Sequence, residues 1–216
     1  MKEFKVIFWD FDGVIKDSVK VKSEAYIELF ESYDSAIADR IRKHHEANGG
    51  ISRYEKIPLY LEWAGLQTNA ENINNYCAKF STLVFQAVID APWVPGVKDY
   101  LLAHYQQQVF ILVSATPCAE IVDILDALGI FRVFQRVYGA PTPKERAIAE
   151  VLKEQDCPPG RALMVGDSES DMVAAEVNGV SFLLRRTAEN HPLQKRFVGP
   201  KIDNFLTPNL DTLWTD

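Results

Sequence analysis

Six side chains in this sequence have the types and the spacing to do chemistry together. Asp10 and Asp12 stand two positions apart after "VIFW" and are followed at once by Gly13. Ser114 follows the run "VFILV", Lys144 opens "KERAIAE", and Asp167 and Asp171 come after "ALMVG". Several carboxylates gathered at one place repel each other, and a divalent cation is the natural way to keep them ionised; ligation by oxygen alone favours Mg²⁺. A hydroxyl such as that of Ser114 and a fixed positive charge such as that of Lys144 suit the remaining oxygens of a phosphoryl group. Together these residues imply the handling of a phosphate.

For that chemistry the chain must bring distant residues together. The apolar runs at 6–9, 109–115, 162–167 and 181–186 are too short for helices and read as strands of a parallel sheet buried on both faces. Amphipathic stretches at 96–108, 118–129, 143–155 and 170–179 alternate with them, which predicts an α/β fold with a doubly wound, Rossmann-like parallel sheet. In such sheets ligands sit beyond the carboxyl ends of the strands. That rule places Asp10, Asp12, Ser114 and Asp167 on one rim, with Lys144 at a helix start within reach.

Residues 17 to 93 have another texture. No convincing strand occurs there; helical patterns run over 22–33, 35–47, 52–65 and 70–89, with "NGG" at 48–50 as punctuation. The predicted organisation is an α/β core from residues 1–16 and 94–216 with an all-helical cap, 17–93, inserted after the first strand. "DAPWVPGV" at 90–97 suits the return linker.

The chain has 216 residues, 47% of them hydrophobic, enough for a substantial core in one domain or in one domain with a large insertion. A formal net charge of −7 argues against nucleic acid and against an anionic membrane surface, both of which bind clustered Lys and Arg. The expected partner is a small phosphorylated metabolite; monomer and dimer both stay open. Cys77, Cys118 and Cys157 show neither metal spacing nor a disulfide framework. The apolar stretch after Lys2 and Lys5 is interrupted by Asp10 and Asp12, which argues against a signal peptide, and no apolar run reaches the ~18 residues of a membrane span. The expected location is the cytoplasm.

The sequence resembles the haloacid dehalogenase superfamily, whose four motifs stand in order as "DFDGV" at 10–14, Ser114 in "LVSATP", Lys144 in "PTPKE" and "GDSESD" at 166–171. The helical insertion is similar to the cap of the phosphoglycolate phosphatase and β-phosphoglucomutase branch. The resemblance implies that Asp10 is the nucleophile, forming an aspartyl phosphate, and that Asp12 is the general acid and then the base. It implies that Ser114, Ala115 and Lys144 hold the phosphate. Mg²⁺ would lie on the Asp10 carboxylate, the Asp12 backbone carbonyl and Asp167, with Asp171 one step further out, through a water or another ligand. Ser114, read alone, would also serve as a helix cap.

Asp12 points to phosphate esters, because relatives that cleave carbon–halogen or carbon–phosphorus bonds lack it. Mutases of the branch tend to carry a histidine where this chain aligns Lys22, which favours a phosphatase over the alternative of an intramolecular sugar phosphomutase. A binding member of the fold without catalysis is the remaining reading, disfavoured by the intact acids at 10, 12 and 167. In the cap, "NGGISRYEK" makes Arg53 the first candidate for contacting substrate, then Lys56 and Lys22. The histidines at 44, 45, 104 and 191 are expected at the surface, and the aromatics of "LYLEWAG" are expected to pack the cap.

Overall fold

Val6–Trp9 form β1, all four residues buried. A computed structural model of the chain describes residues 3–206 and 210–213, so the outermost residues of the expected 1–16 and 94–216 segments fall outside it. Beside β1 lie β2 (Val109–Pro117), β3 (Arg136–Ala140), β4 (Ala162–Gly166), β5 (Ser181–Arg185) and β6 (Lys201–Ile202), in the sheet order β3-β2-β1-β4-β5-β6. Every pairing is parallel; Trp9 stands opposite Leu112 on one side and Val165 on the other.

Alternation along the strands feeds two cores. Ile7 and Trp9 join Phe110, Leu112, Leu163 and Val165 on one face, while Val6 and Phe8 join Ile111, Val113, Met164 and Leu184 on the other. Both faces being covered explains why these strands read as unbroken apolar runs.

Between β1 and β2 the chain makes α1 (Val19–Leu29), α2 (Ser35–Ala47), α3 (Arg53–Trp63), α4 (Ala70–Asp90) and α5 (Val97–His104). Side-chain caps start three of them: Asp34, Ser52 and Asn69 accept from the N–H groups of Ala36, Tyr54 and Asn72. An aromatic centre holds α1, α3 and α4 together, with Tyr26 stacked on Phe80 at 3.9 Å between ring centroids and edge-on to Tyr60 at 5.2 Å. The aromatics of "LYLEWAG" pack as expected.

The sheet is closed by α5 and α6 (Cys118–Ala127) on the first face, and by α7 (Lys144–Glu154), α8 (Glu169–Val177) and α9 (His191–Arg196) on the second. The chain leaves and re-enters the sheet region by two adjacent passages. Asp17 N–H donates to Pro92 O at 2.8 Å and Val94 N–H to Ile15 O at 3.0 Å, and Lys16 forms a backbone bridge with Trp93. The buried Lys16 ammonium donates to Ile89 O at 2.9 Å and lies over the Trp93 ring.

Two strands escaped the sequence pattern. At the edge of the sheet, β3 begins exposed at Arg136 and buries fully only at Gly139 and Ala140, so it lacks a continuous apolar run. The other edge, β6, is two residues long, and the short α9 was also unread. All three cysteines are free. Among the described residues no helix is long and apolar enough to cross a membrane.

Candidate functional site

β1 stops at Trp9, so Asp10 and Asp12 both lie past its end, where the chain turns. Val14, Ile15 and Lys16 N–H groups converge on the Phe11 carbonyl, and Gly13 adopts φ +73. A Cβ on Gly13 would come within 2.1 Å of Asp167 Oδ2; the turn and the neighbouring carboxylate both require glycine. The strand's two-residue repeat is broken there, and the two carboxylates acquire different partners.

Asp10 faces Lys144. The Lys144 ammonium, at the first residue of α7, lies 3.1 Å from Asp10 Oδ2 and donates to Asp171 Oδ1 at 2.6 Å. A cation there opposes the helix dipole, and the two carboxylates supply the compensation. Burial works against its charge, but Asp10 and Asp171 push the ammonium above the ordinary lysine range. Asp171 is anchored on its other side, where Oδ2 accepts from the Ser168 hydroxyl at 2.6 Å and the Ser168 N–H at 3.1 Å. Both of its oxygens are engaged.

Asp10, Asp167 and Asp171, all buried, each offer an oxygen within 4.8 Å of the others. Burial, and then the charge of Asp171, push the Asp10 carboxyl up to about 7 against the pull of Lys144. Burial followed by Asp10 and Asp171 drives Asp167 well above the usual carboxylate range. One ammonium does not offset three crowded carboxylates. An all-oxygen donor set of this charge fits a hard divalent cation.

Asp12 turns the other way, and its carboxylate is not part of that cluster. Its Oδ1 accepts from the Ser18 hydroxyl at 2.6 Å, while Oδ2 takes the Lys22 ammonium and, at 3.4 Å, the Thr116 hydroxyl. Burial alone would raise its pKa, but the charge and hydrogen bond of Lys22, with that of Ser18, hold the carboxyl below its ordinary value. Lys22 is itself fixed to Thr116 Oγ1 at 2.8 Å. Ser114, buried on β2, accepts from the Thr116 N–H at 3.1 Å; it caps no helix, since Pro117 precedes α6.

The other cap candidates are buried cations. Arg53 forms a bidentate pair with Glu120 of α6, 2.8 Å to Oε2 and 2.5 Å to Oε1, and also donates to Ser81 Oγ. Lys56, 1% exposed, meets His45 Nδ1 at 2.9 Å. The expectation of surface histidines fails here: His45 is buried, because it lies under α1 against Tyr26, and His44 bonds the Tyr60 hydroxyl at 3.0 Å.

Space at the site is divided. A cavity of about 20 Å³ touches Asp10, Asp12, Asp167, Lys22, His45 and Ala115, and one of about 30 Å³ continues along Lys22, His45, Arg53 and Lys56. These are little more than the roughly 10–15 Å³ that a single water needs. Larger clefts of about 530 and 480 Å³ flank them, one beside Asp167 and one beside Ser114, Ala115 and Lys144. Between the clefts the Ser170 hydroxyl touches Gly50 O at 3.2 Å. There the loop between α2 and α3 meets the first turn of α8.

The structure thus brings Asp10, Asp12, Lys144, Asp167 and Asp171 together, with Ser114 and Ala115 on the adjoining wall. Sequence reasoning missed Ser18, Thr116 and His45. Ser18 and Thr116 lie inside or beside the quoted motifs, but their hydroxyl roles depend on the turns that follow β1 and β2.

Residues 6–184 match the haloacid dehalogenase-like hydrolase family. A phosphoglycolate phosphatase of Pseudomonas fluorescens is 30% identical over 93% of this chain and 77% of its own. A phosphorylated carbohydrates phosphatase of Thermotoga maritima is 24% identical over 82% of each. Among solved structures, CbbY from Rhodobacter sphaeroides in complex with phosphate superposes with a TM-score of 0.77 at 17% identity, covering 97% of this chain and 99% of that one; it shares the fold. The match over most of the chain, with its motif residues gathered at one rim, makes this protein a member of the haloacid dehalogenase-like hydrolase family.

Proposed function

We propose that the protein hydrolyses the phosphate monoester of a small metabolite, of phosphoglycolate or sugar-phosphate type, through an aspartyl phosphate on Asp10. One observation carries the reading: Lys144 bridges Asp10 and Asp171, with Asp167 alongside, so side chains from separate strand ends converge on one point. The names of the two curated relatives support the substrate class.

An Asp10 oxygen attacks phosphorus as the bond to the leaving oxygen breaks, and Asp12 gives that oxygen its proton. Water then attacks phosphorus of the aspartyl phosphate, Asp12 takes the water's proton, and inorganic phosphate leaves with Asp10 regenerated. Lys22 and Ser18 hold Asp12 in its ionised, proton-accepting form before substrate enters, so the proton it gives the leaving oxygen is one that arrives with the substrate's phosphate monoanion. Ser114, Ala115 and Lys144 orient the phosphate oxygens, and the closed helices exclude bulk water. Mg²⁺ would be held by Asp10, Asp167 and the Asp12 carbonyl, and when bound supplies positive charge that offsets repulsion between carboxylate and phosphate.

The division into a core (1–16, 94–216) and a cap (17–93) belongs to this proposal. The mutase alternative is disfavoured by Lys22, which is committed to Asp12 and Thr116. The test is phosphate release from a panel of monoesters with Mg²⁺. Release is expected from the wild type, with loss on chelation and in Asp10→Asn, while isomer formation outpacing free phosphate would mark a mutase. A wild type inactive on the whole panel would overturn the proposal.

A further inference from the structure

Asp167 is the least tethered of the crowded acids. Asp10 has the Lys144 ammonium and the Phe11 N–H, and Asp171 has Lys144 and the Ser168 hydroxyl. Among the described residues no donor reaches the Asp167 carboxylate. Asp10 and Asp171 each bring an oxygen within 4.8 Å of one of its own, and like charges that close push it away. Whatever keeps this carboxylate in place must therefore act through its backbone.

Asn190 has that reach. It precedes α9, yet its side chain makes no capping bond to that helix. It extends back across two strand ends instead: Nδ2 donates to Asp167 O at 2.6 Å and to Arg185 O at 2.8 Å, while Oδ1 accepts from the Thr187 N–H at 3.0 Å and from Gln194 Nε2 at 2.6 Å. Both donors of the amide and both of its acceptor positions are filled. Turned over, the amide would set its oxygen against two carbonyls and its nitrogen against two donors, so one orientation is fixed. The Asn190 N–H adds a bond to Thr187 Oγ1 at 3.1 Å. The end of β4 is thereby pinned to the end of β5. Arg196 also joins α9 to Glu169 of α8 at 2.9 Å, but both side chains are more than half exposed and the pair contributes little.

We infer that Asn190 is a positioning residue for the metal site: by holding the Asp167 carbonyl it fixes how the Asp167 carboxylate faces Asp10, and so sets the affinity for Mg²⁺. The inference rests on the phosphatase reading, in which Asp167 is a metal ligand, and adds a residue that acts through it.

The experiment measures Mg²⁺ binding by calorimetry on the metal-free full-length protein, beside urea unfolding without metal, for the wild type and Asn190→Leu. Leucine keeps the bulk and removes all four side-chain bonds. The Kd for Mg²⁺ is expected to rise about 10- to 100-fold, and phosphate release, lowered at scarce Mg²⁺, recovers as Mg²⁺ saturates. Thr187→Val, which loosens the same turn but keeps both Nδ2 bonds, is expected to lower the unfolding midpoint without moving Kd. Should Asn190→Leu not fold, Asn190→Ala is read in the same way. An unchanged Kd in the Asn190 variant, or an equal rise in Thr187→Val, assigns the residue a structural role only, overturning the inference and leaving the phosphatase reading standing. A wild type that binds no Mg²⁺ brings down the metal site of that reading and this inference with it.

Discussion

Lys56 shows at the scale of one residue how burial changes a side chain's chemistry. Burial first, then the charge of Lys22, lower its pKa from 10.5 to about 7, while Asp12 and Glu55 pull weakly upward. The other groups facing it are His45 of α2 and Tyr26 of α1. Below about pH 7 the folded protein must carry this charge, and stability bears the full penalty. Between the two values the unfolded chain holds a proton that the folded chain does not, so stability rises with pH. Replacing Lys56 with Met is therefore expected to raise the unfolding temperature more at about pH 6 than at about pH 9, which thermal unfolding at both checks. An equal gain at the two would mean that the side chain reaches water. No such behaviour was legible in "SRYEK", because a lysine in a helical pattern reads as solvated until a partner helix covers it. Asp10, Lys144 and Asp167 were legible, since their motifs fix residue type and order together.

At the scale of elements, the turn after β1 and the start of α8 must fit against each other. Gly13 occupies a left-handed conformation beside Asp167, and Gly166 packs against Asp171. Gly13→Ala is expected to cost about 1–2 kcal/mol for the backbone alone and to displace the Asp167 carboxylate. Phosphate release should fall by roughly 10- to 100-fold, as when the supports of a metal site are altered. Urea unfolding and steady-state rates separate the two effects; unchanged turnover would show that Asp167 has room to move. The central strands were readable because both faces are buried, and the edge strands β3 and β6 were not, because half-covered edges lose the apolar run. What the spacing of "DFDGV" could not convey is that Asp12 faces α1 while Asp10 faces α7.

On the scale of the whole molecule, one buried ion pair fastens α3 to α6. Arg53 and Glu120 are both largely shielded from water, and removing one partner of such a pair leaves the other charge uncompensated, at a cost of about 3–5 kcal/mol. Glu120→Gln is expected to lower the population of the closed arrangement. Small-angle scattering should show a larger radius of gyration, and hydrogen exchange should quicken over residues 49–56. A variant as compact and as protected as the wild type would mean that the pair does not hold the helices down. The rim contact of Ser170 with Gly50 should loosen with it.

The paired passages at Lys16 and Trp93 bear on timing. Asp12 is bridged to Lys16, and Lys16 to Trp93, so the residue to which the proposed mechanism gives the proton lies beside both chain passages on one short strap. Any displacement of α1 to α4 would pull on the backbone that carries this acid, because both passages are bonded beside it. On the proposed mechanism, proton transfer would then be coordinated with the position of the helices that follow Asp12.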